Sequence, residues 1–189
     1  INTIIIARKK KNMLKAINKL NSNLVSSYTC DLSKSLEVDK FFEKLKKKGI
    51  KINFLICNAG NGKDEFSKKN NHKNFHKAYE KNFFTAINPI EIIVNKKNYK
   101  NLKIIVISSI AGYFKGNAPL SYSLAKNSLI NYCKYVSKEL AAKNIRINSI
   151  SPGHIFQKNN LWYQKYKKNK FITRKFINDN VALKKFCYP

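Results

Sequence analysis

Tyr122 stands four residues before Lys126 in the stretch SYSLAK, and Ser109 stands thirteen residues before Tyr122. A phenol, an ammonium and a hydroxyl brought together can exchange a proton with a substrate oxygen. Free tyrosine titrates near 10, too high for ready exchange at neutral pH. A neighbouring ammonium favours the phenolate and brings the group towards a useful range for general acid–base work. In a helix, residues four apart share a face, so Tyr122 and Lys126 would point into one pocket. The spacing alone says little. Of ten tyrosines, four have lysine at the fourth position after them: Tyr99–Lys103, Tyr122–Lys126, Tyr163–Lys167 and Tyr166–Lys170. An exposed helix pair is the plain alternative, and what decides between them is the company each pair keeps.

That company lies at the ends of apolar runs that read as buried strands. NTIIIA (2–7), residues 24–30, NFLIC (53–57), KIIVIS (103–108) and IRINSI (145–150) are such runs. Between them, Met13, Leu14, Ile17 and Leu20 recur at helical spacing. Ser33 can cap a helix with Val38, Phe41, Phe42 and Leu45 on one face, closed by Gly49. A long helical stretch covers 74–95, kinked or interrupted at Pro89, and another covers 120–143. Continuous apolar strands alternating with helices describe an open, doubly wound parallel α/β sheet with helices on both faces. In such sheets ligands bind beyond the carboxyl ends of the strands. Ser109, Asn58-Ala59-Gly60 and Pro152-Gly153 each follow a strand, and Asn82 lies in the long helix. The other three Tyr–Lys pairs have no such neighbours.

The composition narrows the class. A chain of 189 residues is one ordinary domain with room for a substantial core. No apolar run approaches the ~18–20 residues of a membrane span, and IIIA is too short for a signal-peptide core. The net charge of +28 rests on 35 lysines and only three arginines. Sequence-reading nucleic-acid binders lean on arginine, and interleaved aromatic platforms are not evident, so nucleic acid is not the expected partner. Anionic small molecules and acidic carrier proteins would be drawn to this surface. Cys30, Cys57, Cys133 and Cys187 are widely spaced without a C-x-x-C and read as buried, reduced thiols of a cytoplasmic protein. His72 and His76 are four apart but have no third ligand, so no metal site is expected.

Taken together, CNAG, SSIAG, YSLAK and INSISPG resemble the short-chain dehydrogenase/reductase family across essentially the whole chain, most like its 3-oxoacyl-[acyl-carrier-protein] reductase branch. The resemblance implies a Rossmann-like domain over 1–189, with residues 154–180 as a substrate lid. It implies transfer of hydride between a nicotinamide and a carbonyl or secondary alcohol. Tyr122 would be the general acid/base, Lys126 would hold the nicotinamide ribose, Ser109 would orient the substrate oxygen, and Asn82 would hold a water in a proton relay. Cofactor contacts would come from Asp31 and Leu32, from Asn58, Ala59 and Gly60, and from Pro152, Gly153 and Ile155. Arg8, directly after IIIA, stands where NAD-preferring relatives place an acidic residue, so NADP(H) is expected over NAD(H). The substrate would be a small carbonyl or alcohol, or an acyl group on a carrier protein. A homodimer or homotetramer would form through helices matching 74–95 and 120–143.

Each residue also has a plainer reading. Ser109 can simply cap the next turn, and adjacent Ser108 could be the functional hydroxyl instead. Asn58 and Gly60 can be a tight turn, Asn82 a solvated helix residue, and Arg8 a solvated cation. The pattern departs from the family in three places. The first strand and its T-G-x-x-x-G-x-G turn have no counterpart here, and INTIIIARK aligns with the second strand. NVALKKFCYP matches the segment leading into the last helix and strand, so the domain reads as incomplete by a βα and an αβ unit, at about 30 residues each. Gln157 stands where relatives often carry Thr. Trp162 follows, as a wall of the substrate pocket or an anchor of the lid. A chain that keeps the fold without binding cofactor is the alternative function.

Overall fold

The computed structural model describes residues 1–62, 71–96, 101–114, 116 and 118–189. Among them, strands and helices follow in the order β1 (Thr3–Ala7), α1 (Lys10–Leu20), β2 (Val25–Thr29), α2 (Ser35–Lys47), β3 (Phe54–Cys57), α3 (His72–Tyr79), α4 (Thr85–Asn95), β4 (Lys103–Ile107), α5 (Leu120–Ala142), β5 (Arg146–Ile150), α6 (Leu161–Lys168) and α7 (Lys170–Asn180). Every ladder is parallel: β1 pairs with β2, β3 with β4, and β4 with β5. The architecture is the Rossmann-like α/β arrangement that the alternation implies.

The described strands form a pair, β1–β2, and a triplet, β3–β4–β5, rather than one continuous sheet. Successive side chains on a strand point to opposite faces. On one face of the triplet Cys57, Ile104, Val106 and Ile147 are buried in the core with Ala86, Ile90, Leu129 and Cys133 of α4 and α5. On the other face Ile56 and Ile150 are 63% and 49% exposed.

Helix α2 buries Val38, Phe41, Phe42 and Leu45, the face expected from their spacing. Fully burying a side chain of that size stabilises by roughly 1.5–3 kcal/mol. The expected Ser33 cap is not what starts this helix. Lys34 is the capping residue without a side-chain bond, and the Ser33 hydroxyl donates to the Asp31 carboxylate instead (2.7 Å). Gly49 closes the helix with φ +68°, as expected.

The stretch 74–95 is interrupted, but not at Pro89. Asn71 caps α3, its side chain accepting from the Asn74 N–H (2.9 Å). A π-helical turn at Glu80–Phe84 then separates α3 from α4, and Pro89 sits buried inside α4. The carbonyl a proline at 89 would strike is that of Thr85, at the seam with the widened turn, where the ring is accommodated. Helix α5 buries Ser121, Ala125, Leu129 and Cys133 at four-residue spacing, with Lys126 and Ile130 beside them. Cys30, Cys57 and Cys133 are buried and free, whereas Cys187 is free but exposed. No helix among the described residues is long and apolar enough to cross a membrane.

Candidate active site

The carboxyl ends of β3, β4 and β5 meet the first turns of α5. Lys126 is only 5% exposed, and its Nζ donates to the Ile107 carbonyl at the end of β4 (2.9 Å). Burial pushes its ammonium down to about 8. Tyr122, one turn earlier, is raised above the ordinary phenol value by burial, with a hydrogen bond from Ser109 acting in the opposite direction. The expected lowering of the Tyr122 value by Lys126 is therefore not found. The ammonium nitrogen lies 6.0 Å from the centre of the Tyr122 ring and faces a carbonyl, and burial outweighs the remaining stabilisation of the phenolate. The other Tyr–Lys pairs differ in kind. Lys167 and Lys170 are exposed cations over the rings of Tyr163 and Tyr166. Tyr99 lies outside the described residues, as do residues 63–70.

The two serines separate cleanly. Ser109 starts a 3₁₀ turn at Ile110–Gly112, its hydroxyl accepting from the Ala111 N–H (3.2 Å), and the same hydroxyl acts on the Tyr122 phenol, lowering its value against burial. It is a cap and a site residue at once. Ser108 is buried and points elsewhere, donating to the Lys126 carbonyl (2.7 Å). The loop is also fixed to the end of β5: the Ser108 N–H donates to Ile150 (2.7 Å) and the Ile110 N–H to Pro152 (3.0 Å).

Asn82 is completely buried in the π-helical turn, not solvated. Its Oδ1 accepts from the Asn61 N–H (2.8 Å) and its Nδ2 donates to the Ala78 carbonyl (3.1 Å). It therefore holds the loop that follows Asn58-Ala59-Gly60. A Cβ at Gly60 would lie 2.9 Å from Asn82 Oδ1 and 3.4 Å from Lys126 Nζ. Only glycine lets this turn close over both groups, so it is more than a tight turn. Thr85 secures the same turn, its hydroxyl bonding the Ala59 carbonyl (3.1 Å).

At the ends of β1 and β2, Arg8 faces Asp31 with a nitrogen–oxygen distance of 3.9 Å and a half-exposed guanidinium. Burial works against the Asp31 carboxylate, but hydrogen bonds from Ser33 and the charges of Arg8 and Lys34 hold it below the ordinary value. The Leu32 carbonyl accepts from Asn88 of α4 (3.0 Å). Ile155 bridges to Cys187, which ties the Pro152-Gly153 turn to the end of the chain. A Cβ at Gly153 would meet nothing within 4 Å. Trp162 packs on His154, Phe176 and Phe186 with ring centres 4.7–5.7 Å apart. His72 and His76 bond one another (3.2 Å), and no group of three metal-ligating side chains occurs among the described residues.

Two groups were not singled out in the sequence. Gly62 lies against the Tyr122 phenol: a Cβ there would sit 3.4 Å from its Cζ and 3.6 Å from its hydroxyl. The second glycine of NAGNG was the available signal. The Ser151 hydroxyl is buried without a hydrogen-bond partner, next to Pro152.

The nicotinamide end of a dinucleotide fits these residues. Lys126 has one bond to a carbonyl and two further N–H donors, Gly60 leaves room beside it, and the Ser151 hydroxyl is unsatisfied at the Pro-Gly turn. Among the described residues no Gly-rich turn leads from a strand into a helix start of the kind that holds a pyrophosphate.

Together the parallel ladders and the helices between them define a Rossmann-like α/β protein. The sequence profile of the short chain dehydrogenase family matches residues 1–163, and the chain belongs to that family. It is 28% identical over 153 residues to carbonyl reductase family member 4 of Xenopus laevis, an overlap of 80% of this chain and 64% of that protein. It is 28% identical over 129 residues to the 3-oxoacyl-[acyl-carrier-protein] reductase of Bos taurus, covering 67% and 54%. The chain thus spans less than two thirds of the length of these curated relatives. Among solved structures, ElxO with NADP bound superimposes with a TM-score of 0.84 at 22% identity, covering 99% of this chain and 76% of that one. A Burkholderia thailandensis oxidoreductase of the short chain dehydrogenase/reductase family gives 0.84 at 17% identity, covering 100% and 71%.

Proposed function

We propose that these residues form the catalytic part of an NADP(H)-dependent oxidoreductase acting on a carbonyl or secondary alcohol. The observation that carries this reading is the convergence of Ser109, Tyr122 and a buried Lys126 at the carboxyl ends of β4 and β5, which neither Tyr163–Lys167 nor Tyr166–Lys170 shares. The bound nicotinamide supplies or accepts the hydride. Tyr122, kept protonated at neutral pH by burial, gives its proton to the substrate oxygen in reduction and takes it back in oxidation. Ser109 donates a hydrogen bond to the same oxygen. Lys126 holds a ribose hydroxyl with its free N–H donors, and Asn82 holds the 58–61 loop and the water route towards Lys126.

Arg8 supports a preference for NADP(H), being an exposed cation at the end of β1 beside Asp31. Relatives named as 3-oxoacyl-[acyl-carrier-protein] reductases support an acyl substrate on an acidic carrier, which the +28 charge would attract. Phe84 and Leu124, 44% and 41% exposed on the 74–95 and 120–143 segments, support pairing of two copies there. One domain with a lid over 154–180, in the cytoplasm, completes the reading. Substituting Tyr122 by Phe in the natural protein tests it: turnover should vanish while NADPH binding stays within a few-fold.

A second reading, a relative that keeps the fold without turnover, is favoured by the Tyr122 phenol, which burial raises above its ordinary value. Titrating NADPH against the natural protein separates the two, since the second reading requires no saturable binding.

A further inference from the structure

We infer that Ser108 and Asn127 are positioning residues, a two-point clamp that fixes the Ser109 loop against the helix turn carrying Lys126. The inference rests on the catalytic reading of Ser109, Tyr122 and Lys126. Neither clamp residue touches a reacting atom in that reading.

The first point is the Ser108 hydroxyl, buried and donating to the Lys126 carbonyl (2.7 Å). The bond crosses from the end of β4 to the backbone of α5, at the residue whose ammonium also reaches back to Ile107 (2.9 Å). Backbone and side chain of Lys126 are thus both tied to residues 107–108. The second point lies one residue on. Asn127 Nδ2 donates to the Gly112 carbonyl (2.8 Å), and Asn131 Nδ2 donates to Asn127 Oδ1 (2.9 Å). The second bond fixes which way the Asn127 amide faces, so its N–H₂ is committed to the loop.

Between these points the loop and helix approach as closely as backbones can. A Cβ on Gly112 would stand 2.9 Å from the Asn127 nitrogen and 3.0 Å from the Lys126 carbonyl carbon. Ser109 lies within the clamped segment, and Tyr122 lies one helical turn before Lys126. The separation of the two hydroxyls that must meet one substrate oxygen is therefore set by bonds at 108, 112, 126 and 127. The other side of the loop is held by β5 through Ile150 and Pro152, so releasing the α5 side would let Ser109 drift from Tyr122 without unfolding the sheet. A displacement of about 1 Å at a reacting group can cost on the order of 100-fold in rate.

The test uses the natural protein containing these residues, with NADPH and a carbonyl substrate, and the variants Ser108→Ala, Ser108→Thr, Asn127→Ala and Tyr122→Phe. The clamp predicts that Ser108→Ala and Asn127→Ala lower kcat by roughly 10-fold or more with the KM for NADPH within two-fold. Ser108→Thr, which keeps the donor, should recover most of the loss. Amide hydrogen exchange at Gly112 and Tyr113 should quicken in both alanine variants, a readout independent of turnover. Wild-type kcat in both alanine variants, with Tyr122→Phe inactive, overturns the clamp and leaves the catalytic reading standing. Unchanged exchange at Gly112 overturns it too. Should Ser108→Ala fail to fold, Asn127→Ala alone decides by the same two readouts. Retained activity in Tyr122→Phe would sink the catalytic reading itself.

Discussion

The ammonium of Lys126 donates to the carbonyl of Ile107 at 2.9 Å, while lying 6.0 Å from the centre of the Tyr122 ring. The lysine is thus anchored to the strand end rather than to the phenol, and its two other donors are what a cofactor ribose can use. Burial holds its value at about 8, against about 10.4 in an unfolded chain.

That shift predicts a pH dependence. The kcat/KM for carbonyl reduction, which reports the free enzyme, should fall as pH rises through about 8 and Lys126 loses its proton. A profile flat from pH 7 to 9 would contradict the assignment. The sign for stability is opposite. A lysine depressed on folding burdens the native state fully below its folded value, and the burden lifts as pH rises towards the unfolded value. Lys126→Met should therefore be inactive yet more stable below pH 8, by up to about 3 kcal/mol. Urea denaturation at pH 7 measures this.

Gly62 predicts a steric effect on substrate choice. With a Cβ only 3.4–3.6 Å from the Tyr122 ring and hydroxyl, Gly62→Ala should be tolerated with small substrates, whereas Gly62→Val should crowd the reacting oxygen. The ratio of kcat/KM for a bulky over a small carbonyl should drop by roughly 10-fold in Gly62→Val. An unchanged ratio would place Gly62 outside the substrate path.

Arg8 predicts cofactor preference. Arg8→Asp should weaken NADPH and favour NADH, because it replaces a cation suited to a 2′-phosphate by an acceptor for a 2′-hydroxyl. The NADPH/NADH ratio of kcat/KM is the measurement, and an unaltered ratio would reject the role.

Cys57 predicts alkaline sensitivity. Burial, reinforced by Cys133, pushes its thiol up to about 12. An unfolded cysteine loses its proton near 8.5, so between those values only the unfolded chain is ionised. Stability contributed by Cys57 is complete below about 8.5 and declines as pH rises towards 12. Cys57→Ala should show a shallower fall in urea midpoint between pH 8.5 and 10.5, and an equal slope would contradict the burial account.

Much of the site was legible because it sits where strands end. The runs KIIVIS and IRINSI fixed where Ser109 and Pro152 emerge, and i, i+4 spacing put Tyr122 and Lys126 on one face of α5. What the sequence could not reveal was direction. It did not say that Lys126 turns to Ile107 instead of Tyr122, nor that burial would raise the phenol, because both depend on the depth of α5 beneath the loops. Asn82 looked ordinary among so many asparagines, and only the π-helical turn shows why it is buried. Pro89 was the natural suspect for the helix break, yet the widened turn ahead of it absorbs the ring. Ser33 is not the cap because the helix begins one residue later than the pattern suggested, with Lys34 in the capping position.

The most direct test of the central claim is steady-state oxidation of NADPH by the natural protein with a carbonyl substrate, wild type beside Tyr122→Phe. Turnover in the wild type, reduced by about 100-fold or more in the variant with NADPH affinity within a few-fold, is the expected result. A Tyr122→Phe protein that keeps most of its turnover would contradict the account.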